Sequence, residues 1–104
     1  MSEPLATILI RAKDEAESIG KLLQLVASQT VSDRLETVVV DSGSSDGTVA
    51  IARAAGAQLI EIPPEEFTYG RALNIGTAAA AAPIVIPLSA HAFPRHDRWA
   101  ERMI

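Results

Sequence analysis

In Val38-Val39-Val40-Asp41-Ser42-Gly43-Ser44-Ser45-Asp46-Gly47-Thr48, three β-branched apolar residues run straight into an aspartate, and a glycine- and serine-rich turn follows. An apolar run without alternation suits a strand buried on both faces, as in a parallel sheet. The carboxyl end of such a strand delivers Asp41 to the sheet edge where open α/β folds bind their ligands. Gly43 allows a tight turn, and Asp46 is placed to accept from the first free amides of the next helix. An acid directly ending a buried strand is costly unless something binds it. Asp41 is therefore a candidate ligand residue.

Upstream, residues 5–10 (Leu5-Ala6-Thr7-Ile8-Leu9-Ile10) read as a first strand. Asp14-Glu15-Ala16-Glu17 has the form of a capping box. Ile19, Leu22, Leu23 and Val26 then recur at helical spacing, which predicts an amphipathic helix to about Gln29. Residues 35–40 form the second strand, 47–55 a second helix stopped by Gly56, and 57–62 a third strand ended by Pro63-Pro64.

Downstream, a polar loop at 65–68 leads to a helix over 69–82, with five alanines at its end and Pro83 as terminator. Ile84-Val85-Ile86-Pro87-Leu88 is a fourth strand, in which Pro87 is tolerable only near an edge or bulge. Asp97 is placed to cap a last helix that contains Trp99, and the chain reaches Ile104 within that helix without a stop signal. Strand, helix, strand, helix, strand implies parallel strands joined by right-handed crossovers. The expected architecture is an α/β, Rossmann-like, three-layer domain with a mostly parallel sheet of about four strands.

The bulk chemistry narrows the options. At 104 residues the chain is one small domain or a piece of a larger one. Apolar residues make up 48% and charged residues 21%, too apolar for a disordered chain. A net charge of −4 provides no broad attraction for nucleic acid or anionic lipid. Without cysteine there is no disulfide framework or thiolate metal site. No apolar run approaches the roughly 20 residues needed to cross a bilayer, and residues 1–10 lack the basic start of a secretion signal. The expectation is a cytoplasmic domain, or one at the cytoplasmic face of the membrane.

Polar clusters follow the first, second and fourth strands: Arg11 to Glu15, Asp41 to Asp46, and Ser89 to His91. Parallel strands bring all three to one edge. A dinucleotide site needs a glycine fingerprint after the first strand, and a phosphate-binding loop needs Gly-Lys-Ser/Thr. Arg11-Ala12-Lys13-Asp14-Glu15 supplies neither.

Ile10-Arg11-Ala12-Lys13-Asp14-Glu15-Ala16, Val39 to Thr48, and Gly70-Arg71-Ala72-Leu73-Asn74-Ile75-Gly76 together resemble the inverting family 2 glycosyltransferases of GT-A fold. The resemblance runs in order from Ala6 to Trp99. Asp-Ser-Gly-Ser and Ile62 to Phe67 are most similar to the rhamnosyltransferase-like subgroup. It implies transfer of a sugar, with inversion, from a nucleotide-sugar donor to a saccharide or lipid-linked acceptor.

Carried onto this sequence, the resemblance implies that Asp41 hydrogen-bonds the donor base. Arg11, Glu15, Ser42 and Ser89 would line the same nucleotide pocket, and Arg71 would reach the nucleotide as a fixed cation. Asn74 would brace the loop structure. The family's Asp-x-Asp, which holds a divalent metal (Mn or Mg) against the diphosphate, is replaced by Ser89-Ala90-His91. His91 is then the candidate metal ligand or a donor to phosphate. The family's general base lies well past the metal motif and is expected beyond Ile104, together with the acceptor-binding half. The chain therefore reads as a truncated nucleotide-binding part, inactive alone, with nothing between Trp99 and Ile104 to replace the base. An exposed apolar flank would favour a homodimer.

Two other readings remain. One is a non-catalytic interaction module that keeps the fold. The other is a different doubly wound enzyme such as a nucleotidyltransferase, which calls for acidic metal ligands.

Overall fold

Two seven-residue strands, β1 (Ala6–Ala12) and β2 (Leu35–Asp41), form the centre of a four-stranded sheet. The structure is a computed structural model that describes residues 3–90 and 92–104. Strand β3 (Gln58–Glu61) lies outside β2, and β4 (Ile84–Ser89) lies outside β1. The order is β3-β2-β1-β4, and every pairing is parallel. The chain therefore leaves β1 toward one side and returns to its other side with β4. That reversal opens a crevice beyond the carboxyl ends of β1 and β4, the place where doubly wound sheets bind ligands.

The helices are α1 (Ala16–Ala27), α2 (Thr48–Ala54), α3 (Tyr69–Ala79) and the short α4 (Trp99–Met103). Successive side chains of a strand point to opposite faces, and both faces here are apolar. On one, Ile8, Ile10, Val39 and Ile86 pack with Ile19, Leu22, Leu23 and Val26 of α1 and with Ala52 of α2. On the other, Leu9, Val38, Val40 and Ile62 pack against Ala72 of α3. The result is three layers with the sheet in the middle. Each fully buried Ile, Leu or Val contributes about 1.5–3 kcal/mol of transfer free energy, so the strand centres and the inner stripe of α1 dominate the core.

Helix α3 approaches the sheet closely because Gly76 has no side chain. A Cβ there would overlap Leu9 Cδ1 and lie 2.8 Å from Cδ2. The helix ends at Ala79, three residues before the sequence predicts. Ala80 turns extended, and the Ala81 amide donates to the Glu36 carboxylate at 2.9 Å. Pro83 also disfavours helical geometry at the residue before it. Pro87 stands on an edge strand, where its missing amide removes little from the ladder.

Asp97 does not cap the last helix. The Arg98 amide donates instead to His96 Nδ1 at 3.2 Å, and the Asp97 carbonyl accepts from the Thr30 amide at 2.8 Å. Gln29, 4% exposed, fastens this segment to the end of α1. Its amide nitrogen donates to the Leu25 and His96 carbonyls, and its oxygen accepts from the Ala100 amide at 2.9 Å. At the other end of α4 the helix closes at Met103, and Ile104 is its C-cap. The Ile104 amide donates to the Ala100 carbonyl at 3.2 Å, while its side chain is exposed. Among the described residues no helix is long and apolar enough to cross a membrane.

Candidate functional site

The ladder between β1 and β2 carries the two site loops to the same level. Ala12 is the register partner of Asp41, and Arg11 pairs with Val40 on one side and Ser89 on the other. One further bond extends each ladder: the Ser42 amide donates to Ala12 O at 3.0 Å, and the Ala90 amide to Arg11 O at 3.1 Å. Arg11, Ser42 and Ser89 thus leave the sheet side by side.

The loops after β1 and β2 cap each other. Asp14 takes a left-handed backbone conformation (φ 51°), which a short polar side chain tolerates better than most. Its carboxylate accepts from the Ser45 amide at 2.7 Å, and its own amide donates to the Ser44 hydroxyl at 2.8 Å. In return Asp46 accepts from the Ala16 amide at 3.1 Å, and Thr48 Oγ1 accepts from the Glu15 amide at 2.9 Å. The expected Asp14–Glu17 capping box is not what starts α1: the helix begins without a side-chain cap from its own N-cap residue. The free amides there are met from a loop some thirty positions later. Asp46 also accepts from the Thr48 amide at 3.0 Å and from the Thr48 hydroxyl. The Thr48 hydroxyl, then the Thr48 amide, with a smaller share from the Ala16 amide, hold the Asp46 carboxyl below its ordinary value.

Asp41 is 1% exposed. Its Oδ2 accepts from the Gly43 amide at 3.1 Å and the Ser44 amide at 2.9 Å, and its Oδ1 accepts from the Ser44 hydroxyl. Three of the roughly four acceptor positions of a carboxylate are therefore filled from its own loop. The positive φ of Gly43 (94°) makes this turn, and the residue lies so close to Pro64 that a Cβ would stand 2.9 Å from Pro64 Cδ.

A cavity of about 230 Å³ opens over the β1–β4 crevice and is lined by Arg11, Lys13, Glu15, Ser42 and Ser89, with Phe67 and Tyr69 as its aromatic wall. It brings together Arg11, Glu15, Ser42 and Ser89. Asp41 lies buried behind Ser42 and does not reach it, and Arg71 stands outside, paired with Glu66 at 3.2 Å. His91 lies outside the described residues. Glu15 accepts from the Ser18 hydroxyl at 3.0 Å. The segment from Trp99 to Ile104 does not line this cavity.

Lys13, Phe67 and Tyr69 are the wall residues that sequence reasoning missed. The Arg11 guanidinium carbon sits 4.3 Å from the Tyr69 ring centroid, and Phe67 meets Tyr69 edge-on at 5.8 Å. A signal existed, because the chain has only four aromatic residues in its 4% aromatic content, and Phe67 and Tyr69 fall in one short polar loop and the helix turn after it. A second groove of about 230 Å³, lined by Leu9, Leu73 and Pro87, shares Arg11 and Tyr69 with the first. Leu73 and Tyr69 leave apolar surface exposed beside β4.

A larger cavity of about 420 Å³ lies at the opposite edge, around the starts of β2 and β3. Its titratable group, Glu36, is taken by the Thr7 hydroxyl at 2.6 Å and by Ala81. The cations and the aromatic wall are at the carboxyl edge.

Among the described residues no group of three or more His, Asp or Glu side chains is placed to hold a metal ion. Ser89 stands where the resemblance expects the first carboxylate of Asp-x-Asp.

The family model for glycosyl transferase family 2 matches residues 7–104. The chain is 36% identical over 104 residues to glycosyltransferase AglE of Haloferax volcanii, covering 95% of this chain and 34% of that one. It therefore spans about a third of that relative's length. The mannosyltransferase PcManGT of Pyrobaculum calidifontis, solved with GDP-Man and Mn2+, superposes with a TM-score of 0.78 at 28% identity, over 94% of this chain and 30% of the other. Staphylococcus aureus TarS shares the fold with a TM-score of 0.85 at 17% identity, over 94% of this chain and 30% of TarS. The chain belongs to glycosyl transferase family 2.

Proposed function

We propose that this chain is the nucleotide-sugar-binding part of an inverting glycosyltransferase, of the rhamnosyltransferase-like kind. The observation that carries the reading is the convergence of Arg11, Glu15, Ser42 and Ser89 on one cavity at the switch point of the parallel sheet. Such a crevice is the ligand site of doubly wound folds. The complex of PcManGT with GDP-Man supports a nucleoside diphosphate sugar as the ligand class.

In this reading the donor lies over the ends of β1 and β4. Ser42 and Ser89 offer hydroxyls to it, and Glu15 accepts from sugar or ribose hydroxyls. Asp41 serves the base of the nucleotide. Its carboxylate is buried and mostly occupied, so a ring N–H reaches it as the Ser44 hydroxyl gives way. Arg71 is exposed and forms a surface pair with Glu66, which costs little to break. The acceptor, saccharide or lipid-linked, attacks the anomeric carbon while the bond to the diphosphate breaks. The role proposed for these residues is donor binding. None of them is assigned as the general base, whose expected place is beyond Ile104.

The test is a titration of the labelled chain with UDP, dTDP and GDP, followed by amide shifts. Expected are saturable shifts at Arg11, Ser42 and Ser89, spreading to Gly43 and Ser44 as the Asp41 turn adjusts. The absence of any shift at the cavity at millimolar ligand would count for the second reading, a non-catalytic module. The lack of a carboxylate at the end of β4 favours that reading.

A further inference from the structure

We propose that in this protein the positive charge facing the donor's diphosphate comes from Arg11 and Lys13, and not from a divalent metal ion. The inference rests on the donor reading above and adds to it the means of charge neutralisation.

The donor set at the end of β4 does not suit a hard divalent cation. Magnesium and manganese favour several oxygen ligands, with carboxylates supplying the charge. Here the strand ends in Ser89-Ala90-His91, which contains no acid. Glu15 is the carboxylate on the cavity wall, and one of its oxygens already accepts from Ser18. One carboxylate, neutral hydroxyls and the imidazole that the sequence offers at His91 make a poor donor set for such an ion, since imidazole suits softer transition metals.

The same wall carries cations. Arg11 and Lys13 against Glu15 leave the cavity with an excess of positive charge, in a chain whose net charge is −4. Arg11 is the register partner of Ser89, so its guanidinium rises from the strand beside the one that would have ended in the metal-binding acid. Its position is fixed by the Tyr69 ring, 4.3 Å below. A guanidinium held over a ring by its central carbon can still turn N–H groups toward phosphate oxygens and grip them in pairs. Tyr69 is thus a positioning residue for Arg11, and Phe67, edge-on to it at 5.8 Å, backs the ring. Lys13 adds a flexible point charge at the open side.

The test is calorimetric titration of the full 104-residue chain with UDP, GDP and dTDP and with the matching nucleosides, first in EDTA and then with millimolar Mn2+ or Mg2+. We expect the best-bound diphosphate to keep its affinity within about twofold when metal replaces EDTA. Arg11→Ala should weaken the diphosphate about tenfold or more while leaving the nucleoside unchanged, as expected for loss of a charge-assisted pair. Arg11→Lys should fall between, because the charge stays while the paired geometry goes. Lys13→Ala, at an exposed position, is the variant that keeps the test open should Arg11→Ala not fold. It should also lower the salt dependence of diphosphate binding. Metal that tightens the diphosphate tenfold or more, with Arg11→Ala and Lys13→Ala both silent, overturns the inference and leaves the donor reading standing. Binding of neither nucleoside nor diphosphate in any condition overturns both.

Discussion

The Asp46 carboxylate accepts a hydrogen bond from the Ala16 amide at 3.1 Å, thirty positions earlier in the chain, and so caps a helix to which it does not belong. The same carboxylate takes the Thr48 amide at 3.0 Å. One acid therefore holds the amino ends of α1 and α2, while Asp14 holds the loop that carries Asp46. Each end of a helix leaves several amides without internal partners. Here two neighbouring loops satisfy one another's.

This arrangement makes stability depend on pH in acid. The Asp46 carboxyl is held below its ordinary value. Its contribution is therefore fully present above that ordinary value, and it is lost as pH falls through the depressed one. Urea midpoints measured from neutral pH into the acid range should decline less steeply for Asp46→Asn than for the parent. Superimposable profiles would show that the carboxylate charge contributes nothing.

Gly76→Ala should destabilise the protein. The added methyl overlaps Leu9 Cδ1, and Leu9 is fully buried. Overpacking of this kind costs about 1–3 kcal/mol, against about 1 kcal/mol gained in helix propensity. Combining it with Leu9→Ala makes room, so the double mutant should be more stable than the sum of the two changes predicts, by about 0.5–3 kcal/mol. Denaturant unfolding of all four proteins measures the coupling.

Gln29→Ala should release the C-terminal segment. It strands the buried Ala100 amide, and an unsatisfied buried group costs about 1–3 kcal/mol. Hydrogen exchange should show faster exchange at Ala100 and at Thr30, whose amide bonds Asp97, with the β1 and β2 amides changed only by the global loss. Unaltered protection at Ala100 would mean that Trp99 packing alone holds α4.

Glu66→Gln separates stability from binding. The Arg71–Glu66 side chains are 53% and 47% exposed, so losing the pair should alter stability by less than about 1 kcal/mol. Freed Arg71 should bind nucleoside diphosphate more tightly, and Arg71→Ala should weaken it about tenfold, as loss of a bond to a charged group would. Titrations of both variants at two salt concentrations decide whether Arg71 serves the ligand or only the Pro64–Glu66 turn.

The apolar runs of β1 and β2 could be read directly, because a strand buried on both faces leaves no alternation to obscure it. Boundaries failed where the controlling partner was distant. The alanines after Ala79 favour helix locally, yet the Glu36 carboxylate draws Ala81 away. Asp14 and Glu17 have capping-box spacing, yet the carboxylate that reaches α1 belongs to Asp46. The pocket residues that follow a strand directly were legible, because strand direction alone carries Arg11, Ser42 and Ser89 to one edge. Phe67 and Tyr69 were not, since they follow β3 at the opposite edge of the sheet and reach the cavity only at the start of α3.

The sequence by itself determined the parallel sheet, the order of strands and helices, and the edge at which the polar loops gather. These follow from short-range periodicity and from the direction a strand imposes on what comes next. Only the tertiary structure decided that Asp41 is buried within its own turn and that Arg71 faces Glu66 outside the cavity. It alone set Arg11 on the ring of Tyr69. The Arg11–Tyr69 contact joins segments tens of residues apart, and the bonds of Asp41 and Arg71, though made to near neighbours, are chosen by how each turn packs, which no local pattern encodes. The Val38–Thr48 stretch named its acid in sequence, and packing assigned that acid's bonds.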